Sequence, residues 1–173
     1  MIELAIRNKW ISLRGSSVVK DVNEKDVLKV QGKFWTFTAK KFIQTLDGET
    51  KYIVRNKFWR LFVYRAFVLD PKTNEKVATI RRKVFSLHDR YFMDTKYGRI
   101  EIKGNILCFD YHIYLDGKEI GHVSRKISLR DSFVLTLNDD NADIYFYVAL
   151  VIAIDNITDQ RSANSDSSLY FNN

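Results

Sequence analysis

A chain of 173 residues suits one domain with a short tail, and its content of 46% hydrophobic and 14% aromatic residues is enough for a large core. This composition excludes a mostly disordered protein. The longest apolar run, "IYFYVALVIAI" at 144–154, would extend roughly 17 Å as a helix, which is too short for a hydrocarbon core of ~30 Å. The N-terminus does not have the pattern of a signal peptide. We therefore expect a soluble protein, and a single cysteine, which cannot form an internal disulfide, favours the cytoplasm.

The sequence up to residue 138 predicts β-structure. "RIEIK" (99–103) and "SFVLTL" (132–137) alternate with the period of two that is typical of strands. Turn signals such as "LDGE", "DPKTNE", "KYGR" and "LDGK" separate short β-branched and aromatic segments. These signals predict about a dozen strands.

Two of these segments repeat weakly. "VATIRRKVFSLHDRYFMDT" (77–95) aligns with "IGHVSRKISLRDSFVLTL" (120–137), and a fainter third copy begins at 48–57. Small residues at equivalent positions, Ala78 and Gly121, are expected to let the strand backbones approach a central helix. Each copy is a strand that follows a turn and ends in basic residues: Arg55 and Lys57, then Arg81, Arg82 and Lys83, then Arg125 and Lys126.

One helix is predicted, at about 140–157, with Asp140 or Asn141 as its N-cap and acidic residues at the positive end of its dipole. A buried strand is the competing interpretation, because five of the eleven residues at 144–154 are β-branched, but the length of the segment favours a helix. A helix that is apolar on every face has to be enclosed on every side. A barrel about 20 Å across, with about ten strands, would enclose it.

The predicted fold is therefore mainly β, a closed antiparallel β-barrel of about twelve strands enclosing one C-terminal hydrophobic helix. Residues 1–157 are expected to form a single domain. Residues 158–173 form a polar C-terminal tail, which is either flexible or docked on the barrel through its final "LYF".

Residues 121–157, "GHVSRKISLRDSFVLTLNDDNADIYFYVALVIAIDNI", resemble the C-terminal signature of the LURP-one-related family. That signature consists of a basic strand end, an aromatic strand, an acidic cap and a hydrophobic helix that closes on Ile-Asp. "KVATIRRK" and "DYHIYLDGKEIGHV" fit hairpins of the same family, so that the resemblance covers about residues 25–157. It implies the tubby C-terminal-like fold, shared with phospholipid scramblases, in which a barrel surrounds a buried helix. It also implies a protein without established catalytic activity, and tubby relatives bind phosphoinositides through basic surface residues.

Charge is the most informative functional feature. Residues 139–173 carry a net charge of −5, which leaves the barrel with +12 and a field that attracts polyanions. We expect the basic strand ends to bind anionic membrane lipid in a cytoplasmic protein that is peripheral at the membrane surface. Alternation places Arg82 and Arg125 on one side of their strands and Lys83 and Lys126 on the other. One alternative is a protein-interaction module. The other is nucleic-acid binding, which is less favoured because no recognition helix is evident in the sequence.

No catalytic or cofactor motif is evident, and His88, His112 and His122 lack the spacing of metal ligands, so neither an enzyme nor a cofactor is expected. Asp139, Asn141 and Asp143 have the spacing that opens calcium loops. An EF-hand would need Gly and Glu at positions that are occupied here by Ile144 and Leu150. Helix capping is therefore the favoured interpretation of these residues, with calcium as the alternative.

Overall fold

The computed structural model describes residues 1–7, 16–33, 40–56, 65–82, 90–125 and 132–169. The described residues form twelve strands, one short 3-10 helix and one α-helix, in agreement with the predicted fold class. Their bounds are β1 Ile2–Arg7, β2 Ser16–Asp21, β3 Asp26–Lys33, β4 Lys40–Gln44, β5 Thr50–Asn56, β6 Arg65–Leu69, β7 Lys76–Arg82, β8 Arg90–Thr95, β9 Gly98–Asn105, the 3-10 helix Ile106–Cys108, β10 Asp110–Leu115, β11 Lys118–Arg125, β12 Ser132–Leu137 and α1 Ile144–Leu169.

The strands form one closed antiparallel barrel in which each strand pairs with its neighbours in sequence. The barrel closes where β1 pairs with β12, in a register that places Ile2 opposite Leu137 and Arg7 opposite Ser132. Closure gives each of the twelve described strands two partners, so none of these strands has a free edge.

Side chains point alternately inward and outward along each strand, so that every second residue contributes to the inner face of the barrel. In β9, for example, Ile100 and Ile102 are fully buried, whereas Arg99 is exposed and Glu101 is half-buried. The buried faces of the strands and one helix form a single hydrophobic core. Each apolar side chain that is removed from water in this way stabilises the fold by about 1.5–3 kcal/mol.

The first half of α1 lies inside the barrel, which confirms the sequence prediction of an enclosed helix. Every residue from Phe146 to Ile157 is buried, at 7% exposure or less. The helix packs most closely against β5 and β6, with β4 and β7 beside them. Ala149 and Ala153 are completely buried within this stretch.

The bounds of α1 differ from those that the sequence indicates. Its N-cap is Asp143 rather than Asp140 or Asn141, because the Asp143 carboxylate accepts a hydrogen bond from the Phe146 amide at 3.1 Å. The helix also continues to Leu169, through residues that the sequence analysis assigns to the polar tail. The division of the chain at residue 157 stays a prediction, and so does docking of the final "LYF", because Tyr170 and Phe171 lie outside the described residues.

Gly121 has a different role from the one expected. A Cβ atom at this position would lie 2.3 Å from the Thr136 carbonyl oxygen, in the neighbouring strand β12. Glycine is therefore required for the close approach of two strands, and not for an approach of β11 to the helix.

Candidate anion-binding surface

Strand direction places the predicted basic residues at one end of the barrel. The odd-numbered strands all run from the end where α1 begins to the opposite end, and the even-numbered strands return. We call the first end the helix-entry end and the second the basic end. Arg55, Arg81, Arg82 and Arg125 are at or next to the last residue of β5, β7 and β11, so all four lie at the basic end.

The two ends differ strongly in charge. The three residues of each strand nearest to the helix-entry end include five basic and five acidic residues in total. The corresponding residues at the basic end include eleven basic residues, and Asp110 is their only acid within the described strands. The basic ones are Arg7, Lys33, Lys40, Lys41, Arg55, Arg65, Arg81, Arg82, Arg90, Lys103 and Arg125.

The predicted site residues that the structure describes do not form one cluster. Arg55 and Arg81 are exposed and lie two strands apart, on β5 and β7. Arg125 is exposed on β11, four strands from β7 and six from β5, across the barrel. Lys57, Lys83 and Lys126 lie outside the described residues.

Cross-strand register adds residues that the sequence analysis did not identify. Lys40 lies opposite both Lys33 and Arg55 in the sheet, and Arg65 lies opposite Arg81. Lys40, Arg55, Arg65 and Arg81, one on each of β4 to β7, face outward, and we call these four residues the basic wall. With a strand spacing of about 4.8 Å, the basic wall extends roughly 14 Å around the barrel.

The basic wall lacks the carboxylate partners that bases have at the helix-entry end. Lys20 contacts Glu24 and Asp26, and Lys51 forms an ion pair with Glu49 at 2.8 Å. Within the described ranges, no carboxylate forms an ion pair with the four residues of the basic wall. Their positive charges are therefore available to a ligand.

Half-buried aromatic rings flank the arginines of this surface. Phe67 lies opposite Arg55, and Phe92 lies opposite Arg81. A surface that combines cations with partly exposed rings suits a ligand that is anionic and has an apolar part.

Inside the barrel, a buried polar cluster lies beneath the basic end. The Lys41 ammonium donates a hydrogen bond to Oδ1 of Asn156, and both side chains are buried. The Tyr111 hydroxyl is also buried and has no hydrogen-bond partner among the described residues. Burial, followed by the nearby charges of Asp155 and Tyr91, raises the pKa of the Tyr111 phenol. This cluster is enclosed, so an external ligand meets the basic wall first.

The acidic residues before α1 have structural partners. Asp143 Oδ2 accepts hydrogen bonds from the Tyr52 and Tyr97 hydroxyls at 2.6 and 2.8 Å, in addition to its cap on Phe146. Asp139 Oδ1 accepts the Asn141 amide at 2.9 Å. Of the residues that the structure describes, no group of three or more His, Cys, Asp or Glu is arranged to hold a metal ion.

Comparisons with known proteins agree with this architecture. The sequence model of the LURP-one-related family matches residues 2–155. An X-ray structure of a protein from Arabidopsis thaliana superimposes with a TM-score of 0.62 and 20% sequence identity, covering 90% of each chain, which shows a shared fold. No curated protein matches the sequence at a significant level. In the part of the chain that the structure describes, no helix is long and apolar enough to cross a bilayer.

Proposed function

Because the chain belongs to the LURP-one-related family, we propose that it is a non-enzymatic, tubby-like binding module whose basic wall binds the anionic headgroups of membrane lipids, phosphoinositides among them. The observation that carries the proposal is the row of like charges, Lys40, Arg55, Arg65 and Arg81, without carboxylate partners among the described residues. In this account the protein is cytoplasmic and associates peripherally with a membrane.

The strength of the interaction follows from the number of charges. Each basic residue near an anionic membrane surface contributes about 1 kcal/mol, so the four residues of the basic wall contribute on the order of 4 kcal/mol. Other basic residues at the same end add to the field, whereas the balanced helix-entry end does not. Binding of this kind is moderate, reversible and reduced by salt.

The course of α1 favours an approach through the side of the barrel. Ile157 is the last residue of the fully buried part of the helix, and the helix continues for twelve residues, about 18 Å, to Leu169. Because Asn156 of α1 contacts Lys41 at the basic end, the later residues of the helix continue past this end and would hinder a flat membrane from meeting it directly. The basic wall lies on the outer surface of β4 to β7, where a membrane can approach without this obstacle.

Sedimentation with vesicles tests the proposal. We expect the protein to sediment with phosphatidylcholine vesicles that contain phosphatidylserine or a phosphoinositide, and to remain in the supernatant with phosphatidylcholine alone. Raising the salt concentration should release the protein. A gel-shift assay with DNA and RNA, run in the same buffer, separates lipid binding from nucleic-acid binding. Absence of salt-sensitive vesicle binding would reject the lipid proposal in favour of a protein-interaction module.

A further inference from the structure

Two histidines from different strands lie directly opposite each other on the outer surface of the barrel. His112 on β10 pairs with His122 on β11 in the strand register, and the centroids of their rings are 5.9 Å apart. Their neighbours Tyr111 and Val123 are buried, so both imidazoles point away from the core. Spacing along the chain does not reveal this pair, because only the register of the hairpin brings the two residues together.

A β-bulge in the same hairpin places a carboxylate beside the pair. The register shifts within the hairpin, so that Glu119 rather than Ile120 lies opposite Tyr114. In an uninterrupted strand, Glu119 would point to the opposite face from His122, because the two are three residues apart. The bulge reverses this direction, and Glu119 Oε1 lies 2.9 Å from Nδ1 of His112.

The hydrogen bond between His112 and Glu119 fixes the state of the imidazole. A surface carboxylate is ionised at neutral pH and only accepts hydrogen bonds, so Nδ1 of His112 carries the proton and donates it. The lone pair that a metal ion requires is then on Nε2. Metal-binding histidines typically have such a carboxylate on the other ring nitrogen, where it holds the orientation of the ring. The hairpin therefore has two imidazoles and a group that orients one of them.

The distance between the two rings suits one shared metal ion. With metal–nitrogen bonds of about 2.1 Å, two imidazoles on one tetrahedral ion have ring centroids roughly 5 Å apart. The observed 5.9 Å differs from this value by about 1 Å, which a small rotation of these surface side chains supplies. Imidazole is a preferred ligand of Zn²⁺ and Cu²⁺, whereas Mg²⁺ and Ca²⁺ prefer oxygen ligands.

The basic residue beside the pair has acidic and aromatic partners of its own. Lys103 lies opposite His112 on β9, and its Nζ atom forms an ion pair with Glu101 at 3.0 Å. The same Nζ atom lies 4.7 Å from the ring centroid of Tyr114. The charge of Lys103 is therefore partly neutralised, and Glu119 supplies a negative charge on the other side of His112.

We propose that His112 and His122 bind one divalent transition-metal ion, Zn²⁺ or Cu²⁺, on the outer face of β10 and β11, with Glu119 as the positioning residue. Two imidazoles leave coordination positions open to water or to an external ligand. The proposal is independent of lipid binding, because the basic wall is on β4 to β7, on another side of the barrel.

Calorimetric titration of the full chain, without an affinity tag, tests the site. We expect one Zn²⁺ ion per chain with a dissociation constant between about 1 and 100 µM, weaker than for a site with four protein ligands. Cu²⁺ should bind more tightly than Zn²⁺, and Mg²⁺ at the same concentration should not bind. Absence of Zn²⁺ binding, or equal binding of Mg²⁺, would overturn the proposal.

Histidine variants locate the ion. His112→Ala and His122→Ala should each weaken Zn²⁺ binding at least about tenfold, since each leaves a single imidazole. His88→Ala is the matched control, because it removes the third histidine of the chain, and it should leave the affinity unchanged. Unchanged affinity in the His112 or His122 variant, or an equal loss in the His88 variant, would contradict the proposed pair.

Two substitutions of Glu119 test its positioning role. Glu119→Ala should weaken Zn²⁺ binding by about tenfold, because carboxylates that orient metal-binding histidines typically contribute 10–100-fold to the affinity. Glu119→Gln should restore most of the loss, since its amide oxygen still accepts a hydrogen bond from Nδ1 of His112. In buffer with EDTA both variants should melt at the wild-type temperature, because surface substitutions change stability little. Equal affinities of the wild type and Glu119→Ala would contradict the positioning role.

Discussion

Arg65 and Arg81 lie directly opposite each other on β6 and β7, and both side chains are exposed. Like charges in this position destabilise a sheet, whereas opposite charges stabilise it. The same barrel places Lys20 opposite Asp26 at the other end, with 3.8 Å between Nζ and Oδ1. The cost of the arginine pair is consistent with a role in binding an anion rather than in stabilising the fold.

Neutralising one member of the pair should therefore stabilise the protein. We expect Arg81→Gln to raise the free energy of unfolding by roughly 0.2–1 kcal/mol, because it removes the repulsion from Arg65. Urea denaturation at low salt measures the change. Lys20→Gln is the control and should lower stability slightly or leave it unchanged, since an exposed ion pair contributes about 0–1 kcal/mol. A destabilised Arg81→Gln variant would contradict this account of the pair.

The enclosed position of α1 predicts a strong effect of charge inside the barrel. Ala149→Arg or Ala153→Arg would bury an unpaired cation where the wild-type side chain is fully buried, and should cost several kcal/mol, enough to unfold a marginally stable domain. Val22→Arg introduces the same charge at a position that is 51% exposed and should change stability by less than about 0.5 kcal/mol. Thermal unfolding compares the variants. Normal melting of both alanine variants would disprove the enclosed helix.

Stability should fall in alkaline solution. The pKa values of Tyr52, Tyr111 and Tyr147 are raised, with burial as the main cause, to about 12 for Tyr147. Above pH ~10 the unfolded chain loses these protons while the folded protein retains them, so the free energy of unfolding decreases as the pH rises. The decrease is at most ~1.4 kcal/mol per pH unit for each phenol. The contribution of Tyr147 is lost between pH ~10 and ~12.

Urea unfolding at a series of pH values measures this decrease, and the Tyr147→Phe variant, which cannot ionise, should show a shallower slope. A free energy of unfolding that stays constant between pH ~9 and ~11 would show that the phenols are not protected.

The two kinds of buried tyrosine should respond differently to removal of the hydroxyl. Tyr111→Phe removes a buried hydroxyl that has no partner among the described residues, and should leave stability unchanged or raise it by up to about 1 kcal/mol. Tyr52→Phe removes a 2.6 Å hydrogen bond to Asp143 and should cost roughly 1.5–3 kcal/mol. Denaturant unfolding at neutral pH compares them, and a larger loss in Tyr111→Phe would reveal a partner for its hydroxyl.

The sequence predicts the architecture well because the decisive signals are local. The apolar run at 144–154 requires enclosure, and the turn signals provide enough strands to enclose it. The N-cap is less predictable, since several acidic residues precede the helix. Tyr52 and Tyr97, which are distant from Asp143 in sequence, donate hydrogen bonds to its carboxylate. The residue that caps the helix is therefore also the one with these long-range contacts, which no local pattern shows.

The basic wall could be predicted only in part, because its members belong to different hairpins. Arg55 and Arg81 are evident as basic strand ends, but the pairings of Lys40 with Arg55 and of Arg65 with Arg81 depend on the register between strands. The sequence does contain one signal for Lys40 and Arg65: in "AKKF" and "YRAF" a basic residue stands where a strand begins at the basic end. Arg125 has the same local pattern as Arg81, yet the closed barrel places it four strands away.

Vesicle sedimentation with two charge-reversed variants tests the proposed function most directly. The first variant combines Arg55→Glu, Arg65→Glu and Arg81→Glu in the basic wall. The second changes three exposed lysines at the helix-entry end to glutamate, so that both variants carry the same net charge: Lys25, Lys72 and Lys118. We predict that the basic-wall variant no longer sediments with phosphoinositide-containing vesicles at physiological salt, and that the control variant retains most of the binding. Equal binding by wild type and the basic-wall variant, or an equal loss in both variants, would contradict a lipid site at the basic wall.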